Sequence, residues 1–339
     1  MSRLLDNLAD QRLAVRHGAF SRDYVNALGF LVEHTTRYCG AWVDQPGIAG
    51  PKSPVVFLDI DGVIDKQIFG FPSNTAAGME ALSLLNRHSY TTVINSARSV
   101  DEARVYAEAY GCAGAISEYG CHVWDRNSGR TECLADSDSL AEMEKVRRAL
   151  LEVPGVFLDE RYRYIIRAFL YARETTVPVP KPVIEGVMAR VGSQRLRLHQ
   201  TFTDSTVTPA GTDKGLGLQT YLQLAGLPNA DTVAVGDSEP DLAMFRVAGK
   251  SFAPSHISCR AAAKLLGTRV AGSSYQKGFL ECVKKLIHPD GSVCPACGSP
   301  RAEQGSDLFL SLLRDCDVSP YRWLIRSLFD YRSLAAFRR

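Results

Sequence analysis

The chain has 339 residues, 45% of them hydrophobic, and a formal net charge of +2. That length can bury a sizeable core and suggests about two domains. A charge so close to balance gives no general argument for nucleic acid or an anionic membrane as partner. Nine cysteines without framework spacing fit reduced thiols in a cytosol better than a secreted disulfide scaffold. The first residues, MSRLLDNLADQRLAVRHG, carry charges throughout and lack an apolar signal core. No window approaches the ~18 apolar residues of a membrane span, so a soluble, cytoplasmic protein is expected.

Residues 1–50 read as a helical N-terminal extension. Leu4, Leu5, Leu8, Leu13 and Val15 recur at roughly helical spacing, and a second helix is expected from Ser21 to Tyr38. QPGIAGPKSP, from Gln45 to Pro54, reads as a linker. The pattern then changes. VVFLDIDGVID, from Val55 to Asp65, opens as an unbroken apolar run and ends in Asp59 and Asp61. Such a run is the mark of a buried parallel strand, and open α/β sheets place reacting groups at strand carboxyl ends. Gly62 lets the chain turn away sharply. Strands at 55–60, 91–96 and 114–118 alternate with helices at 75–88 and 99–110, which predicts an α/β fold with a parallel sheet.

The alternation breaks after Glu118. Cys121 to Leu134 reads as a hairpin, followed by a helix at 138–152, strands, a helix at 181–191, and strands near 195–207. This predicts an inserted α+β unit. In RYRYIIRAFLYAR, Arg161, Arg163, Arg167 and Arg173 share one parity; in RLRLHQ, Arg195, Arg197 and His199 share one face. Period-two alternation makes one basic and one apolar sheet face. The basic face meets either water or an anionic substrate, for which arginine forks are suited. Alternation resumes near Pro209, with a helix from Thr212, the strand TVAVGDS, and a last helix at 275–287.

Four stretches end in polar groups where strands end or helices start. They supply Asp59 and Asp61, Ser96 and Arg98, Lys214, and Asp237 and Asp241. Each alone reads as an ordinary turn or cap residue. Together they gather up to four carboxylates at one sheet edge, which is costly without a cation. Mg2+ suits oxygen ligands and bridges to phosphate, and Lys214 and Ser96 offer a cation and a hydroxyl for phosphoryl oxygens.

In these motifs the chain resembles the haloacid dehalogenase superfamily, in its type IIB branch with a large cap. Asp59-Ile60-Asp61-Gly62-Val63, Ser96-Ala97-Arg98, Lys214 in GTDKG, and Gly236-Asp237 through Asp241 stand for the four motifs in order. SEYGCHVWD resembles the E-N-G-A run leading into the cap, with Tyr119 in place of Asn. The resemblance implies a Rossmann-like core at 51–120 and 209–287, a cap at 121–208, and extensions at 1–50 and 288–339. It implies Asp59 as nucleophile and Asp61 as acid and base. Ser96, Ala97 and Lys214 would bind phosphate. Mg2+ would be held by Asp59, the Ile60 carbonyl and Asp237, with Asp61 and Asp241 completing the metal set. The expected activity is a phosphatase for a small phosphorylated metabolite, a sugar phosphate first. Substrate contacts would come from Arg98, Arg163, Arg167, Arg195, Arg197 or His199. Retention of Asp61 argues against a dehalogenase. Alternatives are a phosphatase for a protein or nucleic-acid phosphate docked by the extensions, and a non-catalytic binding module. The extensions also offer a surface for a homodimer or protein partner.

The last stretch contains Cys294 and Cys297 in CPACG. One C-x2-C is half a structural zinc site, with Cys282, His288 and Cys316 as candidate partners. A redox pair or two ordinary thiols are the competing readings.

Overall fold

The computed structural model describes residues 53–297, apart from 69, 70, 74, 173 and 174. The expected N-terminal helices, the amphipathic segments near the C-terminus, Arg173 and Cys316 lie outside the described residues. The chain begins with β1 (Val55–Leu58), a hairpin of β2 (Lys66–Ile68) and β3 (Phe71–Ser73), and helix α1 (Ala76–Arg87). It continues through β4 (Thr91–Asn95), α2 (Val100–Ala109), β5 (Gly114–Ser117), β6 (His122–Asp125) and β7 (Thr131–Cys133). Next come α3 (Ser137–Leu151), β8 (Phe157–Leu158), β9 (Ile166–Ala172), β10 (Thr175–Pro178), α4 (Lys181–Arg190), β11 (Leu196–Gln200) and β12 (Ser205–Pro209). The remainder is α5 (Lys214–Leu224), β13 (Thr232–Val235), α6 (Asp241–Val247), β14 (Lys250–Ala253), α7 (Arg260–Leu265), β15 (Arg269–Val270) and α8 (Tyr275–Ile287).

Eight strands form the main sheet in the order β15-β14-β13-β1-β4-β5-β6-β7. From β15 to β5 all pairings are parallel. The apolar run of β1 is wholly buried between β13 and β4. Its side chains alternate between two cores. Val56 and Leu58 pack with Met79, Tyr106 and Phe279 on one side; Val55 and Phe57 pack with Leu218, Tyr221 and Phe245 on the other. Burying both faces is what requires an uninterrupted apolar strand. Helix α2 starts where Ser99 and Glu102 form a reciprocal capping box, each satisfying the other's free amide.

The hairpin β6–β7, expected to open the inserted unit, pairs antiparallel with β5 and extends the main sheet instead. Its residues His122–Asp125 are buried, so both faces of this strand are covered by the core. A second sheet takes the order β10-β9-β12-β11, with β8 added on β9. Helices α3 and α4 cover its apolar face, where Met143, Val146, Leu150, Ile184 and Val187 meet Ile166, Ala168 and Val207. No helix of the described residues is long and apolar enough to cross a membrane.

Candidate active site

The site lies at the carboxyl ends of β1, β4 and β13. Register aligns Leu58 with Ile94 on one side and Val235 on the other. Asp59 therefore emerges level with Asn95 and Gly236, and Ser96 and Asp237 follow one residue later. The Asp59 amide donates to Val235 O at 3.0 Å, and Asp59 Oδ1 accepts from the Ile60 amide at 2.8 Å. The chain then turns tightly. Amides of Val63, Ile64 and Asp65 all donate to the Ile60 carbonyl. That carbonyl was expected as a cation ligand; the turn occupies it instead.

Gly62 is required here twice. Its φ of +82° is left-handed, and an added Cβ would stand 2.0 Å from Asp237 Oδ2. Gly236 is similarly packed, with Asp241 Cγ 2.3 Å from the position of its absent Cβ.

Lys214 opens α5, whose N-cap Asp213 accepts from the Leu216 amide at 2.8 Å. Its ammonium is buried between two carboxylates, 3.0 Å from Asp59 Oδ2 and 2.6 Å from Asp241 Oδ1. Burial works against the charged ammonium, but Asp241 and Asp59 outweigh it and raise its pKa. The other Asp241 oxygen, Oδ2, accepts from the Asp237 and Ser238 amides and the Ser238 hydroxyl, all at 2.9 Å. Asp241 thus organises the loop after β13 and holds Lys214, leaving little capacity for a cation.

One oxygen each from Asp59, Asp237 and Asp241 lies within 4.8 Å of the others. Burial, then the crowding of carboxylates, pushes Asp59 well above the usual carboxylate range, with Lys214 opposing. Asp237 is raised too, chiefly by burial, while His256 opposes. Asp59 and Asp237 converge in an oxygen-rich cluster, with Lys214 shared between Asp59 and Asp241. This donor set fits a hard divalent cation.

Asp61 stands apart from that cluster. Its side chain is 56% exposed and is gripped by Arg98, with Nε 2.9 Å from Oδ2 and Nη2 2.6 Å from Oδ1. Despite desolvation, Arg98 holds the Asp61 carboxyl below its usual value. Its expected place among the metal ligands is therefore not where its carboxylate lies. Ser96 is buried, its hydroxyl accepting from the Arg98 amide at 3.3 Å. Ala97 packs against Tyr119, Tyr162 and Ile165, where the two units meet.

The arginines expected on an open basic face are already engaged. Arg167 binds Asp204 at 2.7 Å and Asp159 at 3.0 Å. Arg163 binds Asp101 at 3.0 Å, and Arg195 binds Asp138 at 3.1 Å. Arg197 donates to the Thr212 carbonyl and to Thr208 Oγ1. Arg161 and Arg163 precede β9 in irregular chain, so strand parity does not govern them. His199 differs: its ring stacks on Tyr119 at 5.6 Å, and its buried Nε2 has no hydrogen-bond partner among the described residues. Burial first, then Arg197, lowers its pKa, which favours a neutral imidazole.

Asn95 and His256 escaped the sequence reading, and Glu118 figures in it only as part of the run leading into the second unit. Asn95 donates to the Lys214 carbonyl at 2.9 Å, tying β4 to α5. Its place directly before Ser96 was the available signal. The Tyr275 amide donates to His256 Nδ1 at 3.2 Å, which leaves Nε2–H to donate to Asp237 at 3.0 Å. Nothing local in SFAPSHIS marks His256. Glu118, buried at the start of the turn before β6, accepts from the Arg163 and Tyr164 amides and so fastens the second unit to the main sheet.

A family model described as haloacid dehalogenase-like hydrolase matches residues 184–265. A phosphoglycolate phosphatase of Natronomonas pharaonis is 31% identical over 114 residues, 33% of this chain and 50% of that one. The chain thus spans half of that relative. Another, from Pyrobaculum aerophilum, is 27% identical over 245 residues, 71% of this chain and 97% of that one. Among solved structures, a Thermoplasma acidophilum protein aligns with a TM-score of 0.54 at 15% identity, covering 71% of this chain and 99% of its own. A Synechocystis sucrose-phosphatase, solved with sucrose and phosphate, aligns at 0.50 and 15% identity, covering 70% and 98%. At such identities the structures establish a shared fold.

Proposed function

We propose that the chain is a haloacid dehalogenase-like hydrolase, the family whose model matches residues 184–265, and a phosphatase for a small phosphorylated metabolite, a sugar phosphate first. The reading rests on one observation: Asp59 and Lys214 are buried together at the end of the central strand, with Asp237 and Asp241 around them. The main sheet and its helices, with β6 and β7 included, act as the catalytic core, and the sheet of β8 to β12 with α3 and α4 acts as a cap over it.

In this proposal a carboxylate oxygen of Asp59 attacks phosphorus, and the bond from phosphorus to the leaving oxygen breaks. Asp61 gives that oxygen a proton, which requires that substrate binding loosen the Arg98 grip that favours the ionised carboxylate in the free chain. Asp61 then takes a proton from water, whose oxygen attacks the aspartyl-phosphate; the Asp59–phosphorus bond breaks and inorganic phosphate leaves. Lys214 and Ser96 hold the phosphoryl oxygens, and Arg98 orients Asp61. Asp59 and Asp237 would hold Mg2+, which when bound supplies positive charge beside the phosphoryl group. His256 fixes the rotamer of Asp237, and Asp241 holds Lys214 in register.

His199 is the cap residue best suited to the leaving group. A neutral imidazole can exchange hydrogen bonds with a hydroxyl, whereas Arg163, Arg167 and Arg195 are already paired with carboxylates. This favours a hydroxylated leaving group over a second anion, and so a sugar phosphate over phosphoglycolate, the substrate named for the curated relatives.

The test is a panel of phosphorylated metabolites assayed for phosphate release with Mg2+ and with EDTA. Turnover that requires Mg2+ and vanishes in Asp59→Asn is expected. Turnover retained in that variant, or confined to phosphopeptides or nucleic-acid ends, overturns the proposal.

A further inference from the structure

A second cluster of ligating side chains lies away from the site just described. His88 is the capping residue just after α1, and His288 the capping residue just after α8. Cys294 and Cys297 follow in a short turn, closed by the Cys297 amide donating to the Cys294 carbonyl at 2.9 Å. One ligating atom from each of the four lies within 4.8 Å of the rest. All four are partly buried. His88 leads almost directly into Thr91, the first residue of β4, so the cluster sits where strands begin. Asp59 sits where β1 ends. The two groups therefore occupy opposite edges of the sheet.

The spacings match those of one particular coordination shape. A tetrahedral zinc has bonds of about 2.3 Å to sulfur and about 2.0–2.1 Å to nitrogen. Its edges are then about 3.8 Å between sulfurs and about 3.5 Å between sulfur and nitrogen. Here the two sulfurs are 3.8 Å apart. His88 Nε2 is 3.8 Å from Cys294 Sγ and 3.4 Å from Cys297 Sγ. His288 Nε2 is 3.2 Å from Cys297 Sγ. A disulfide needs sulfurs about 2.05 Å apart, so the pair is set at ligand spacing and not at bonding distance. The two imidazole rings meet edge to face at 84°, which lets both Nε2 atoms converge without stacking.

His288 has the outer contact that a zinc-bound histidine uses. Ser292 Oγ is 3.1 Å from His288 Nδ1. With the Nδ1 proton donated to that hydroxyl, the Nε2 lone pair is free to face the cluster. Cys282, considered as a partner from the sequence, is buried in the core beside Phe279 and Leu286 and takes no part.

We propose that His88, His288, Cys294 and Cys297 form a structural Cys2His2 zinc site that staples the segment after α8 to the end of α1. Four protein ligands leave no open position, which is the mark of a structural and not a catalytic zinc. The site ties together the capping residues of two packed helices, α1 and α8, which Lys284 and Glu80 also bridge at 3.0 Å.

The full chain, purified without chelator, should carry one zinc per chain by elemental mass spectrometry, besides any magnesium. Cys294→Ser/Cys297→Ser should lose it. His88→Gln, a milder change at a helix end, should weaken retention against a chelator while circular dichroism stays unchanged. Cobalt added to metal-free wild-type chain should give the visible absorption of a tetrahedral thiolate site, and zinc should displace it. Wild-type chain that neither holds zinc nor takes up cobalt overturns the proposal. So does zinc retained in full by the double cysteine variant, or a native Cys294–Cys297 disulfide found by mass.

Discussion

Replacing Lys214 with Met tests the electrostatic core of the site. The side chains of Lys214, Asp59 and Asp241 are 1%, 7% and 0% exposed, and the ammonium stands 3.0 and 2.6 Å from the two carboxylates. At an effective dielectric of about 20, each contact is worth about 5–6 kcal/mol of Coulomb attraction. Desolvating the ammonium returns several kcal/mol of this, and removing one partner of a buried pair costs about 3–5 kcal/mol. Urea unfolding in EDTA at pH 7 should show a loss of that size. The loss has a sign in pH. Burial already raises Asp59 above its ordinary 3.8, and without Lys214 nothing of equal weight opposes it. A carboxyl with a raised folded pKa binds its proton more tightly when folded. The variant is therefore relatively most stable below about pH 4 and loses ground as pH rises through the folded value. A loss under about 1 kcal/mol at pH 7, unchanged at pH 4, would refute the reasoning.

Other outcomes follow from single contacts. Gly62→Ala should destabilise the fold by about 1–3 kcal/mol and depress phosphate release, because its Cβ collides with Asp237; thermal melting and turnover check both. Arg98→Ala frees Asp61 from its two-point grip, and kcat should fall by about 10–100-fold with little change in KM. Glu118 is buried with its carboxyl raised to about 7, mainly by burial. Its folded form gives most stability below the unfolded value of about 4.5 and loses it as pH rises through about 7. Glu118→Gln should flatten that decline by up to about 3 kcal/mol, measured as unfolding free energy between those pH values.

The sheet was legible because its strands are short apolar runs ending in polar residues, as in Val55–Leu58 and Thr232–Val235. The hairpin β6–β7 was misplaced because antiparallel pairing can serve either sheet; only burial of Val123 and Trp124 against the core decides it. Strand parity put arginines on one face but is blind to what comes opposite. Asp159, Asp204 and Asp101 meet them from turns and from α2. His256 and His88 illustrate the same limit. Each is placed by tertiary packing, His88 lying some 206 residues before Cys294 in sequence. No local pattern joins such partners.

Two contacts at Cys121 bear on how the second unit is hung. The Leu134 amide donates to the Cys121 carbonyl at 2.8 Å, while Cys121 Sγ lies 3.2 Å from Thr212 Oγ1. The chain therefore leaves for the second unit and returns from it beside the same residue. Two crossings at one spot close a loop whose entropy cost rises only slowly with the length between them, about 0.6 kcal/mol for each doubling. They also let the loops of the second unit be lengthened or shortened without disturbing β1 or β13. A change of length there leaves Asp59, Lys214 and Asp237 in place, provided the contacts of Glu118 and Glu102 with the second unit are kept.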